Sequence, residues 1–347
     1  MRLDLRYTVA KHSSFATLFA LAALSTLLYS LPPSAHAAKR ASGPTVWVLT
    51  KTGQYVEGVV NTTTLKATID GSPHDIPLRD LLSLQTASPA SDMETPRITS
   101  GLETIAANTD RVKREAAVAD LTDIGLPVLT PLLTMYKDTD MHEPYPLYRL
   151  FARIMPPTAD RIERDQDLIR MANGQNLRGQ VADTSLTVTD ANGKASTFKI
   201  ADLRRLAVRR KLIEKVCEVH ALRHCVQVEF LDSGVGVSTG SQITGKTTGF
   251  VRLSFNVDGW ACDADGLKVP GPHYASNLVE GFPFGALLGR VGAAGPRWVG
   301  GRQFTKRDMG TGRLYLGVND NPHWQNNIGS FRVQLHAQDA YDLGDPQ

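Results

Sequence analysis

Apolar and polar positions alternate along residues 46–84 (VWVLTKTGQYVEGVVNTTTLKATIDGSPHDIPLRDLLSL), and the same pattern returns along residues 168–206 (LIRMANGQNLRGQVADTSLTVTDANGKASTFKIADLRRL). An alternation of period two, broken by turn pairs such as Thr52-Gly53, Asp70-Gly71 and Asn192-Gly193, predicts short antiparallel strands. The two stretches are copies. Gly53, Gly58, Val60 and Leu65 recur as Gly174, Gly179, Val181 and Leu186 at an offset of 121, and Asp80 and Leu84 recur as Asp202 and Leu206 at 122. A unit of about 40 residues resembles a small SH3-like or Sm-like barrel and buries little core alone. The copies are therefore expected to pack on each other or on what lies between them.

Between them the period changes. Leu102, Ile105, Val112, Ala116, Val118, Leu121 and Ile124 recur at helical spacing. Leu129, Leu132, Leu133 and Tyr136 follow after Gly125 and Pro127, with Pro131 opening the later helix. This insert is HEAT-like but too short for a repeat array. Residues 86–99, rich in Ser, Pro and Thr, are expected to be a linker. From about 226 onward the pattern is all-β, with strands over 250–257, 314–318 and 331–335, which predicts a sandwich or jelly roll. The fold class is thus a mainly β multidomain protein. Its parts are an address at 1–37, a β unit and linker at 38–95, a helical insert at 96–162, a second β unit with a basic connector at 163–225, and a β-sandwich at 226–347.

Residues 1–37 carry Arg2, Arg6 and Lys11, then an apolar run from Phe15 to Leu31, a Pro32-Pro33 break and Ala35-His36-Ala37. This is the order of a secretory signal peptide cleaved after Ala37. No later stretch is apolar enough to span a bilayer. The expectation is an exported protein: periplasmic, secreted or on the cell surface. The chain of 347 residues has 38 Lys+Arg against 35 Asp+Glu, a net charge of +3. That balance excludes a partner held by bulk charge, nucleic acid above all. The basic run Arg204, Arg205, Arg209, Arg210, Lys211 and Lys215 is expected to be an exposed helix face or a contact to something anionic. Elsewhere in 38–215, charged residues read as solvated.

Three cysteines leave at least one thiol without an intramolecular partner. Cys217, His220, His224 and Cys225 cluster, and three readings stay open: a Cys217–Cys225 disulfide, free thiols, or a metal site. Two motif matches fail on context. Residues Gly240 to Thr247 satisfy G-x-x-x-x-G-K-[ST], but a strand pattern follows where a phosphate loop needs a helix. Residues Gly236 to Gly240 satisfy G-x-S-x-G, again without the strand–turn–helix of a nucleophile elbow. Residues 38–225 offer no convincing carboxylate pair, no triad and no H-E-x-x-H, so no enzyme is expected.

The loop Asn319-Asp320-Asn321-Pro322-His323-Trp324-Gln325-Asn326-Asn327 supplies hard oxygen donors of the kind calcium takes. Around it stand Asp258-Gly259-Trp260-Ala261, Phe284 to Gly292, Gly312 to Asp320 and Asn326 to Phe331. In these segments the last third of the chain resembles the PA-IL-type bacterial galactophilic lectin domain, a galactose-binding-like β-sandwich. The resemblance implies a calcium held by the side chains of Asp320, Asn326 and Asn327. Backbone carbonyls would come from the position of Asp263 and from His323 or Trp324. A sugar diol would complete the calcium shell and bond to Asp320 and Asn326, with His273 a further sugar contact. Departures exist: the loop is one residue shorter, and Asp263 stands where an aromatic faces the sugar. Trp324 and His323 could supply a replacement stacking surface.

The function expected is therefore calcium-dependent binding of a galactoside-like carbohydrate, with 38–225 as scaffold or protein-docking region. The alternatives are an envelope adaptor whose sandwich binds no sugar, and a hydrolase carrying a carbohydrate-binding appendage.

Overall fold

The computed structural model describes residues 43–107, 110–138, 145–154, 165–225, 230–253, 260–267, 281–320 and 327–346. The address at 1–37 lies outside them. So do His273, His323, Trp324 and Asn326.

The repeat is structural. The first copy runs β1 (Thr45–Thr50), β2 (Tyr55–Val60), β3 (Thr64–Ile69), β4 (Ser72–Pro77), a 3-10 turn (Leu78–Asp80) and β5 (Leu81–Gln85). The second runs β6 (Asp167–Met171), β7 (Asn176–Val181), β8 (Ser185–Thr189), β9 (Ala195–Lys199), a 3-10 turn (Ile200–Asp202) and β10 (Leu203–His220). The copies do not close on themselves. β1 pairs with β10 and β6 with β5, so each copy's first strand is completed by the other's last. Likewise β2 pairs with β8 and β3 with β7. The registers match: Val60 faces Val188 as Val181 faces Ala67.

This exchange explains two of the repeated glycines. A Cβ on Gly58 would collide with the carbonyl oxygen of Thr189, and one on Gly179 with that of Thr68. These oxygens are equivalent too, so only glycine permits the cross-copy approach. One shared core results, with Val46, Val48, Leu65, Ile76 and Leu84 from the first copy against Ile169, Leu186, Val188, Leu203 and Leu206 from the second.

The insert holds α1 (Glu94–Ala107), α2 (Arg111–Ile124), α3 (Leu129–Asp138) and α4 (Tyr145–Ile154), packed through Leu102, Leu121, Leu129 and Leu150. α1 begins inside the stretch expected to be linker. Its start is a capping box: the Ser91 backbone N–H donates to Glu94 Oε2 at 2.8 Å, and the Glu94 N–H donates to Ser91 Oγ at 3.3 Å. The S-x-x-E spacing was there to be read. Among the described residues no single helix is long and apolar enough to cross a membrane.

The basic run is not a helix face. It lies on β10, a single strand of 18 residues whose first part joins β1 and β5 and whose second part pairs with β18 (Ile328–Asp342). Arg204 is buried on Glu94, with Nε to Oε1 and Nη2 to Oε2 both at 2.5 Å. Arg210 donates to the carbonyls of Arg79 and Leu81, and Lys215 meets Asp342 at 2.8 Å. These cations are engaged within the fold as the strand crosses from one sheet system into another, while Lys211 stays exposed.

The sandwich has one sheet ordered β10, β18, β12 (Gln242–Arg252) and β16 (Gln303–Arg307), with β13 (Ala261–Cys262) also on β12. The facing sheet is β11 (Leu231–Val237), β17 (Gly312–Val318), β14 (Leu287–Val291) and β15 (Trp298–Val299). β11 also touches β18, through Val235–Asp342 and Gly236–Tyr341. Between the sheets lie Ile213, Val219, Val235, Ile243, Leu287, Leu314, Leu316, Phe331, Val333 and Leu335. Alternation drives this in β12 and β18, one face apolar and the other exposed, whereas β11, β14 and β17 are buried along nearly their whole length. The mainly β class and the C-terminal sandwich are as the sequence pattern expects.

Candidate functional site

Asp320 follows β17 and Asn327 precedes β18, so one strand from each sheet of the sandwich brings them together. Both are almost fully buried, at 2% and 3% exposure. The Asn327 Nδ2 donates to Asp320 Oδ2 and also to the carbonyl of Ala221, just past the end of β10, at 3.3 Å. Two acceptors on one side fix the amide's orientation. Its Oδ1 is then buried with no hydrogen-bond partner. A buried carbonyl oxygen without a donor, beside a buried carboxylate, is the environment a hard cation neutralises and a neutral core does not. The donor set thus fits calcium.

The frame around the pair is rigid. Asn319 is fully buried, and its Nδ2 donates to the carbonyls of Phe282 (3.1 Å) and Pro283 (3.0 Å). Its backbone N–H reaches Ala286 O at 2.9 Å and its carbonyl accepts from Gly285 at 2.8 Å. Asn319 therefore clamps the 282–286 segment against the end of β17. The sequence reading placed it within the matching text without a role. Nearby, Trp260 packs edge-on against Phe284 at 5.5 Å.

Asp263 sits differently. Its Oδ1 accepts the Asp265 N–H at 3.0 Å, its Oδ2 is 3.7 Å from Arg302 Nε, and its carbonyl accepts from Gly266 at 3.0 Å. The carboxylate is about half exposed and serves a turn. It still shares a field with Asp320. Burial first, then the negative charges of Asp263 and Asp320, push the Cys262 thiol up to about 12.

The cysteine–histidine cluster resolves into free thiols. None of Cys217, Cys225 and Cys262 is in a disulfide; Cys217 and Cys225 are buried, and Cys225 Sγ donates to the carbonyl of Leu222 at 3.7 Å. Cys217 points into the sandwich core from β10, while Cys225 forms a bridge to Val318 beyond it. His224 Nδ1 accepts the His220 N–H at 3.0 Å, which commits that nitrogen to the backbone. Among the described residues no three His, Cys, Asp or Glu side chains are placed to hold a metal. Both rejected motifs lie on β11, the following turn and β12, with no helix after either. Ser238 of the second donates to Glu57 at 2.9 Å.

Charges in 38–215 do converge, contrary to the solvated reading. Arg313 Nε meets Asp123 Oδ1 and Arg313 Nη1 meets Asp232 Oδ2, each at 2.9 Å, while Tyr55 donates to Asp123. Arg290 meets Glu115 at 3.0 Å. Tyr341 and Ser238 both donate to Glu57, at 2.5 and 2.9 Å. These pairs dock the insert and the β-repeat onto the sandwich. Each charge is isolated in its own segment, so no spacing rule could have found them.

No family model and no curated protein matches the chain. A solved structure described as "EclA N-terminal domain; PllA-like lectin" is similar to it, with 21% identity over 37% of this chain and 98% of that chain and a TM-score of 0.28.

Proposed function

We propose that this is an exported, non-catalytic carbohydrate-binding protein in which a calcium ion at the Asp320–Asn327 loop presents the sugar. The observation that carries the reading is the unpartnered, buried Oδ1 of Asn327 beside the buried Asp320 carboxylate. The residue-by-residue resemblance to PA-IL-type lectins supports it. Asp320 and Asn327 would hold the ion with Asn326. Asp263 adds negative charge from the neighbouring turn, and its carbonyl is the remaining donor on that side. Bound calcium supplies a Lewis-acid centre that replaces the hydration of two vicinal hydroxyls. The Asp320 carboxylate would accept from those hydroxyls and Asn326 would bond to them, with His323, Trp324 and His273 as further sugar contacts. A near-neutral chain suits a neutral ligand, which needs shape and hydrogen bonds rather than bulk charge.

The test is isothermal titration of the full chain with calcium, then of the calcium-loaded protein with galactosides. Calcium binding lost in Asp320→Ala, with sugar binding that requires calcium, supports the proposal. An absence of calcium binding in the wild type would sink it. Calcium binding without response to any sugar in a broad glycan array would assign the adaptor role instead.

A further inference from the structure

Ser83 of β5, Leu168 of β6, Thr122 of α2, Arg205 of β10, Asp232 of β11 and Arg313 of β17 line a small, partly open cavity of about 60 Å³. It lies where the β-repeat, the helical insert and the sandwich meet. Two further guanidinium groups, Arg153 and Arg170, line it as well. The wall is therefore cationic and donor-rich.

The carboxylates around Arg313 are already engaged on both oxygens. Asp123 takes Arg313 Nε on one oxygen and the Tyr55 hydroxyl on the other. Asp232 takes Arg313 Nη1 on one oxygen and the Gly234 N–H on the other. Arg170 is held by Asp342 at 2.8 Å and Asp345 at 3.1 Å. What remains is one-sided. Arg313 Nη2 is buried without an acceptor, and so is Arg205 Nε. Arg205 is buried, and its Nη1 reaches the carbonyl of Leu343 at 3.0 Å. Burial first, and then the neighbouring Arg313 charge, lower its pKa to about 10.

A guanidinium removed from water is stabilised by an acceptor that can take two parallel N–H bonds, and oxyanions match that fork. A volume of about 60 Å³ exceeds one water and admits a tetrahedral or planar oxyanion. We infer that this junction cavity is a structural binding site for a small oxyanion, taken between Arg205 and Arg313. It is separate from the loop assigned to calcium and does not depend on that assignment. Occupancy would couple the repeat to the sandwich, because the anion would touch a strand of each at once.

The experiment uses the full chain. Thermal unfolding is followed with inorganic phosphate or sulfate against sodium chloride at equal ionic strength, and crystals grown without either are soaked in selenate. The expected result is a Tm that rises with log phosphate or sulfate, beyond the chloride control. An anomalous selenium peak between Arg205 and Arg313 should accompany it. Arg205→Met should remove the excess rise. If that variant fails to fold, the wild-type anomalous map decides alone. A rise equal to chloride's, or a map with no selenium peak in the cavity, overturns the inference.

Discussion

Leu84 in β5 and Leu206 in β10 face each other across their strand pairing, and they are also the same position in the two repeats. A residue paired with its own counterpart marks a local two-fold axis. About that axis each copy hands its terminal strand to the other, which lets two units too small to fold alone share one core. The axis falls on a strand that then runs on into the sandwich.

The exchange makes a sharp prediction at its tightest points. Gly58→Ala and Gly179→Ala should each destabilise the fold by about 1–3 kcal/mol, because the methyl group meets a backbone oxygen that cannot swing away. Gly71, where a Cβ meets nothing within 4 Å, is the control on steric crowding. Its positive φ of 76° means Gly71→Asn should be milder than either. Urea unfolding of the three variants checks the order.

Arg204 and Glu94 are 1% and 0% exposed, so breaking their pair strands a buried charge. Glu94→Gln should cost about 3–5 kcal/mol. Replacing both, as Arg204→Met with Glu94→Leu, should recover most of it in denaturant titrations.

The same pair has a pH signature. Burial alone would raise the Glu94 carboxyl, but hydrogen bonds from Arg204 and Ser91 outweigh it and hold the pKa below its ordinary 4.5. A depressed carboxyl contributes stability that is full above the unfolded pKa. That contribution should disappear as pH falls from about 4.5 through the lower folded value. Glu94→Gln should show a flatter stability profile across this acid range than the wild type.

At the loop, calcium should stabilise the wild-type chain by about 2.7 kcal/mol when present at a hundredfold excess over Kd. Asp320→Asn should abolish that increment, and chelation should reverse it in the wild type. Differential scanning calorimetry with and without calcium reads both.

Cys217 and Cys262 should stay protonated as thiols near neutral pH, and no cysteine should be found in a disulfide. Burial raises both Cys217, where Asp232 adds to it, and Cys262, to about 12. The thiolate fraction of these two at pH 8 is therefore small, and their alkylation in native protein should be slow. Unfolding should expose three rapidly labelled thiols by mass spectrometry, whereas a disulfide would leave one.

Periodicity and turn chemistry are local, and they determined much of this protein. The duplicated strands, the helical insert and the C-terminal sandwich could all be read from the chain, because alternation and glycine turns act within a few residues. That Asp320 and Asn327 lie close together was also legible, since both flank one short loop. Partnership across the fold was not. Whether β1 closes on β5 or on β10 leaves the local pattern unchanged, and only the tertiary structure chose exchange. Arg204 and Arg205 look solvated in a basic run, yet one long strand carries them between two layers and buries them. The unpartnered oxygen of Asn327 exists only because Asp320 and the Ala221 carbonyl occupy its amide nitrogen. A side chain's charge is written in the sequence, but its desolvation and its partners depend on segments far apart in the chain.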